Sequence, residues 1–542
     1  MLTLYLTKKT PLYFISAIAL LLSGCGGGGN NWPSFATTPP PSGTPATTSS
    51  PPSSTGEPSA SAPRVDAVKA CTDLSGTLID GGQITTSSLV SATPLVNEYC
   101  KVNGTMHASL NFEVHLPTTW NGKLVFSGGG GWDGAFFPVP LSSSVNSGYV
   151  LIASDGGNSG GNFFDASRFL NNPVRQQDFA YASTHTVLEA VKSILKIRYS
   201  EPLLKSYFEG CSNGGREALI AATRFPDDFD GIISRAPAYS FNGLMAGGFL
   251  ENAKATNSPG GWISPVKAKL VSDEVNKQCD SLDGIADGIV SNIGACHFDP
   301  SILKCTGAAN DSCLTDGELA TARMAYSEVR DPNGTVIYPG WGPGGEDQGW
   351  PLWISGAAPG SPSSQYTFVD GLIKFWITSD PSFNTLTFNR QTYAPSISLL
   401  STLLDATPDL RDYFAKGKKL ILAHGTNDWA ISYKGSVEYF NKVAAVAGSN
   451  ARDANMAFFL LPGVGHCLGG TGPDTVDYLT AMSDWVEKGK APVSGSMTAT
   501  KIDYTTGDAV LKRPLCAYPA FPVYKGSGDP NSADSFECAI SR

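Results

Sequence analysis

Gly210-Cys211-Ser212-Asn213-Gly214 sets a serine between two glycines, the pattern of a hydroxyl nucleophile on a sharp turn. Ser206 to Glu209 favour a short strand before it, and Glu217 to Ala222 have strong helix propensity after it, up to Pro226. Strand, tight turn and helix in that order make a nucleophile elbow. The glycines relieve clashes around a strained backbone, and the turn lifts the hydroxyl above the sheet at a helix N-terminus. The chemistry would be acyl transfer through a serine ester. Alone the pentapeptide is a weak signal, because Gly-rich turns containing serine are common.

Serine needs a base, and the chain has six histidines, His107, His115, His185, His297, His424 and His466. In the α/β-hydrolase arrangement the chain order is Ser, acid, His, which leaves the last three. Leu420 to Ala423 reads as an apolar strand leading to Asp428, and Phe458 to Leu461 as another leading to His466. Both residues would then stand at strand carboxyl ends, as catalytic groups of parallel sheets do. His424 is expected to pack or cap its loop, and His297 lies in a cysteine-rich region far from such a strand. A lone histidine is more often structural, but Cys211 precedes Ser212 and Cys467 follows His466. If serine and histidine are within hydrogen-bond reach, those cysteines are within disulfide reach, so one pairing would staple nucleophile to base.

The surrounding chain must export and position this chemistry. Leu22-Ser23-Gly24-Cys25, at the end of an apolar run after Lys8 and Lys9, resembles a bacterial lipobox. The resemblance implies a signal peptide over 1–24, Cys25 as the lipid-bearing N-terminus, and an exported lipoprotein anchored at the cell envelope through that lipid only. The alternative is an ordinary cleaved signal that leaves a free cysteine. Of eleven cysteines, ten then remain for disulfides in an oxidising compartment. Residues 25–64, rich in Gly, Pro, Ser and Thr, read as a disordered linker. A globular body of about 480 residues begins near Val65. The formal charge is −10 and becomes more negative once Lys8 and Lys9 leave, which argues against nucleic acid as a partner.

The combination of Cys-Ser, a later Asp and His-Cys resembles the tannase and feruloyl esterase family, over nearly all of residues 70–540. The likeness includes Gly210 to Glu217, Cys279 to Val290, Gly463 to Cys467, and Arg513 to Cys516 with Tyr524 to Asp529. It implies an α/β-hydrolase fold with a large inserted lid domain: hydrolase over 65–238, lid over 239–406, hydrolase again over 407–542. The dense Gly, Pro and aromatic content of the insertion reads as irregular structure. By the same resemblance the oxyanion hole is made by the amides of Asn213 and Gly131, the latter after the strand Lys123 to Phe126, where glycine permits close backbone approach.

The resemblance further implies a structural calcium site, with carboxylates from Asp280, Asp283 and Asp287 and carbonyls from Ile285 and Ile289. A solvated Asp-rich turn is the alternative, and no organic cofactor is expected. Disulfides are expected at Cys71–Cys100, Cys279–Cys296, Cys305–Cys313 and Cys516–Cys538, besides Cys211–Cys467. Trp353 and Phe375 align with aromatic pocket residues, with Tyr366 and Trp376 nearby; core packing is the alternative for each. Ile431 stands where a relative has an aromatic residue, and Gly360 to Ser364 offers no arginine for an anionic acyl group. These features favour a small, neutral aromatic ester, of feruloyl or galloyl type, over a terephthalate monoester. A non-catalytic surface-binding protein on a hydrolase scaffold is the competing class; all three members of a triad are present against it.

Overall fold

The computed structural model describes residues 64–540, apart from 108, 138–140 and 504. The expected signal peptide, Cys25 and the linker up to residue 63 lie outside the described residues. The described body opens on a short strand, Val65–Asp66, paired antiparallel with Thr119–Trp120.

A ten-stranded mixed sheet organises the molecule. In chain order its strands are β1 (Leu78–Ile79), β2 (Gly82–Val90), β3 (Tyr99–His107), β4 (Leu110–Pro117), β5 (Lys123–Ser127), β6 (Val150–Ser154), β7 (Lys205–Cys211), β8 (Gly231–Arg235), β9 (Lys419–Gly425) and β10 (Met456–Leu461). The spatial order is β10-β9-β8-β7-β5-β6-β4-β3-β2-β1. From β6 to β10 every pairing is parallel. From β6 through β4 to β1 every pairing is antiparallel.

Successive residues point to opposite faces, so the apolar runs of the parallel strands feed two cores. Leu124, Phe126, Phe208, Ile232, Leu420 and Leu422 pack against α1 (Ser183–Tyr199) and α2 (Asn213–Arg224). Val125, Tyr207, Ile233, Ile421 and Phe459 pack on the other face against the helix Tyr478–Lys488. Because β5, β7, β8, β9 and β10 run the same way, the segments after Ser127, Cys211, Gly425 and Leu461 all emerge at one edge.

Between β8 and β9 the chain departs from the irregular structure its composition suggested. It forms the helices Leu250–Asn257, Pro265–Cys279, Asp316–Tyr326, Glu346–Trp353, Ser364–Leu372 and Ala394–Leu404. Gly and Pro there punctuate short helices. Pro265 sits at the first helical turn behind a Ser264 cap, Thr315 and Glu318 form a capping box, and Ser363 caps the helix at Tyr366. These helices share a third core with Trp132, Phe169, Phe179 and Trp429.

All five expected disulfides are present, with Cα–Cα separations of 4.9 to 6.0 Å. Cys211–Cys467 spans 256 residues, whereas no other exceeds 29.

Candidate active site

Ser212 occupies the turn between β7 and α2 with φ 65° and ψ −123°, a strained conformation for a residue with a side chain. Its surroundings explain the glycines. A Cβ on Gly214 would lie 2.7 Å from the Gly129 carbonyl oxygen and 2.8 Å from the Gly128 carbonyl carbon, so the loop after β5 and the start of α2 meet backbone to backbone. The Gly214 amide donates to Gly129 O at 3.1 Å, and the Ser212 amide to Arg235 O at 3.0 Å.

The predicted base and acid meet the serine. His466 Nε2 lies 3.0 Å from Ser212 Oγ, and His466 Nδ1 lies 2.8 Å from Asp428 Oδ2. Asp428 is fully buried, and its Oδ1 accepts from the amides of Ala430 and Ile431 at 2.9 and 2.8 Å. Burial alone would raise its pKa, but the charge of His466 and hydrogen bonds from His466 and His424 hold it well below the usual carboxylate range. The acid therefore stays ionised to orient the imidazole. His424 lies behind it, as expected of a loop-capping residue. Its Nε2 donates to Ile431 O at 2.9 Å and is 3.3 Å from Asp428 Oδ2, while Nδ1 meets Ser436 Oγ at 2.7 Å. Cys467, at φ 63°, turns back to its bridge with Cys211.

Gly131 and Asn213 stand after the adjacent parallel strands β5 and β7. Gly131 has φ 56° and packs against the Phe163 carbonyl with no room for a side chain. Asn213 opens α2, so its amide has no acceptor one turn earlier in the helix.

Of the pocket candidates, Trp353 reaches the site, its ring 5.2 Å from His466 in an edge-on contact. The wall continues through residues the sequence reading did not single out. Trp353 stacks on Phe368 at 6.4 Å, Phe368 meets Phe164 at 5.2 Å, and Phe164 meets Phe163 at 4.2 Å, beside Gly131. Nothing in their local sequence marks these phenylalanines; tertiary packing brings them together. Trp376 is a core residue, buried against Trp132, Phe169 and Phe179. Phe375 packs half-buried on the lid core, and Tyr366 is half-buried. Ile431 is buried, and its backbone serves Asp428 and His424. Lys374 pairs with Asp370 at 2.9 Å.

In the Asp-rich loop, Asp280 accepts from the amides of Asp287, Gly288 and Ile289 at 2.9 to 3.2 Å. Asp283 Oδ1 accepts from Ile285, while its buried Oδ2 meets no hydrogen-bond donor at bonding distance among the described residues. Asp287 pairs with Arg513 of the C-terminal segment. An orphaned buried carboxylate oxygen among hard oxygen donors fits a divalent cation. Among the described residues, the set whose candidate ligand atoms lie within 4.8 Å of one another is His185, Glu189 and Asp228, not the three aspartates. His185 and Asp228 there already satisfy each other at 2.8 Å.

The half-parallel sheet, with an elbow serine, histidine and acid at its carboxyl edge, defines the α/β-hydrolase class. The sequence profile described as "Tannase and feruloyl esterase" matches residues 94–539, so the chain belongs to that family and is a carboxylic ester hydrolase. An uncharacterized esterase of Agrobacterium fabrum is 32% identical over 502 residues, covering 85% of this chain and 89% of the relative. A probable feruloyl esterase B-2 of Aspergillus terreus is 30% identical, covering 84% and 88%. The mono(2-hydroxyethyl) terephthalate hydrolase of Piscinibacter sakaiensis is 30% identical, covering 82% and 85%. The crystal structure of feruloyl esterase B from Aspergillus oryzae shares the fold, with a TM-score of 0.76 at 24% identity over 86% of this chain and 99% of that one.

Proposed function

We propose that the protein hydrolyses esters of aromatic, phenolic-type carboxylic acids through an acyl-enzyme on Ser212. The observation that carries this is the continuous relay Ser212–His466–Asp428, with an aromatic wall that begins on the base itself. Ser212 Oγ attacks the ester carbonyl while its proton passes to His466 Nε2. Asp428 holds Nδ1 and stabilises the imidazolium, and the amides of Gly131 and Asn213 receive the oxyanion. The imidazolium protonates the leaving alcohol. Water, deprotonated by the same nitrogen, then releases the acid.

Trp353 and Phe164 offer ring faces and edges to an aromatic acyl group, and Phe368, buried between them, backs both rings. An anionic acyl group fares worse: Lys374 is already paired with Asp370, and burying an unpaired carboxylate costs on the order of several kcal/mol. Purified enzyme should therefore show kcat/KM for methyl ferulate or methyl gallate at least about 100-fold above that for mono(2-hydroxyethyl) terephthalate. Equal or faster turnover of the terephthalate ester would replace the substrate assignment with that of the Piscinibacter relative.

We also propose calcium at Asp280, Asp283 and Asp287, with the carbonyls of Ile285 and Ile289, in a structural role. Bound there it would neutralise repelling carboxylates in a loop tied by Asp287–Arg513 to the C-terminal segment. Ca2+ should raise the melting temperature by mass action, and chelator should lower it. Metal analysis showing no calcium, with unchanged melting in chelator, would return the loop to a solvated turn.

A further inference from the structure

Behind the oxyanion loop lies a buried polar cluster that the mechanism above does not use. Asp133 is 0% exposed, Arg216 0% and Glu217 6%, charged residues in positions where charge is costly unless compensated. Asn213, whose amide is assigned to the oxyanion hole, is held by its side chain at the centre. Its Nδ2 donates to Asp133 Oδ1 at 2.8 Å and to Glu217 Oε1 at 3.1 Å, and its Oδ1 accepts from Arg216 Nε at 2.7 Å. Glu217 Oε2 accepts the amide of Gly129, in the other arm of the hole, at 2.9 Å. Arg216 spends its remaining donors on the carbonyls of Ala180, Leu404 and Phe179, at 3.0, 3.3 and 2.7 Å. The two carboxyl groups are thus bridged by one amide, and both touch the backbone that must meet the oxyanion.

We propose that Asp133 and Glu217 are positioning residues: Asp133 carries a proton, and the two carboxyl groups with Arg216 form a clamp on Asn213 that fixes the Gly128–Gly131 loop against the start of α2. Four points support the clamp. With both carboxyls ionised, the cluster would hold two negative charges against one guanidinium. Among the described residues no donor reaches the buried Asp133 Oδ2, the state expected of an oxygen that carries a proton. Burial, followed by the charge of Glu217 and a hydrogen bond with it, pushes the Asp133 carboxyl well above its ordinary range. A Cβ on Gly129 would lie within 2.5 to 2.9 Å of the Asp133 carboxyl, so loop and acid are matched in shape as well as charge.

The other charged groups around the cluster are Asp405 and Arg224, which act on Arg216 from the lid segment and from α2, and Asp155, adjoining Gly156, whose backbone packs on Asp133. Asp405 is held by Asn242, and Asp155 by Asn111. Neither touches Asn213 or Gly129, so loss of the Asp133 proton acts on the hole through the clamp itself.

The proposal rests on Ser212 as nucleophile, and the experiment separates the two. In the full-length enzyme, Asp133→Ala and Glu217→Ala should lower kcat about 100-fold with KM changed less than about 3-fold, since a misplaced oxyanion donor acts in the transition state. Asp133→Asn, which imitates the protonated carboxyl, should recover at least about 10-fold of that loss, whereas Glu217→Gln should not, because both Glu217 oxygens already accept and one would become a donor facing a donor. Asp133→Asn should also remove the alkaline fall in kcat that wild type shows as the Asp133 proton leaves. Should an alanine variant fail to fold, Asp133→Asn and its pH profile carry the test. Folded alanine variants with kcat within about 3-fold of wild type would overturn the clamp, as would an Asp133→Asn variant no better than Asp133→Ala. An active Ser212→Ala would instead overturn the reading on which the proposal stands.

Discussion

Ser212→Ala and His466→Ala should each lower kcat on methyl ferulate by about 10⁴-fold or more, and the double variant should lose little beyond either single one. The reason is geometric. Each group acts only through its neighbour, across contacts of 3.0 Å from Oγ to Nε2 and 2.8 Å from Nδ1 to Oδ2. Once one is missing, the other has nothing to activate. The acid needs a milder probe, because Asp428 also accepts two backbone amides and faces a second buried imidazole. Removing its carboxylate would orphan those donors, so Asp428→Asn is the informative variant. It should lose about 10³- to 10⁴-fold in kcat with its fold intact. Steady-state kinetics per folded protein, with melting curves, check all four. Asp428→Asn at near-wild-type turnover would mean that another acid serves His466.

The second large effect concerns the staple. Cys211–Cys467 closes a 256-residue separation, which in the chain-entropy account is worth on the order of 5 kcal/mol. It also ties the residue before the nucleophile to the residue after the base. Replacing both cysteines by serine should lower the melting temperature and reduce kcat by roughly 10- to 100-fold, since a displacement of about 1 Å between reacting groups has that cost. Cys71–Cys100, on a 29-residue separation in the antiparallel half, is the control. Its removal should cost stability and leave kcat per folded enzyme close to wild type. If the Cys211/Cys467 variant kept wild-type kcat, the loop from Gly463 to Cys467 would hold His466 unaided.

The triad was legible because each member follows its own strand and the order Ser, Asp, His excludes most alternatives. Cysteine neighbours of Ser212 and His466 then gave a second, independent constraint, and the bond is present. What sequence could not show depends on tertiary proximity. Nothing local marks Asp133, Arg216 and Glu217 as buried, since such residues are rarely fully buried unless paired; their pairing runs through Asn213, 80 residues from Asp133. Phe163, Phe164 and Phe368 form one wall only after the lid folds over the sheet, and Trp376, adjacent to a pocket candidate, turns inward to the core. The lid's helices were missed for a different reason. Glycine and proline density masked short helices whose caps at Ser264, Thr315 and Ser363 were local signals available in the chain.

The most direct test is to trap the intermediate. The nitrophenyl ester of ferulic acid should give a burst of nitrophenol equal to the enzyme concentration, and acid quenching during turnover should leave a feruloyl group on the peptide that contains Ser212. Ser212→Ala should show neither burst nor adduct. A feruloyl group on any other residue, or steady turnover by Ser212→Ala without an adduct, would contradict the account.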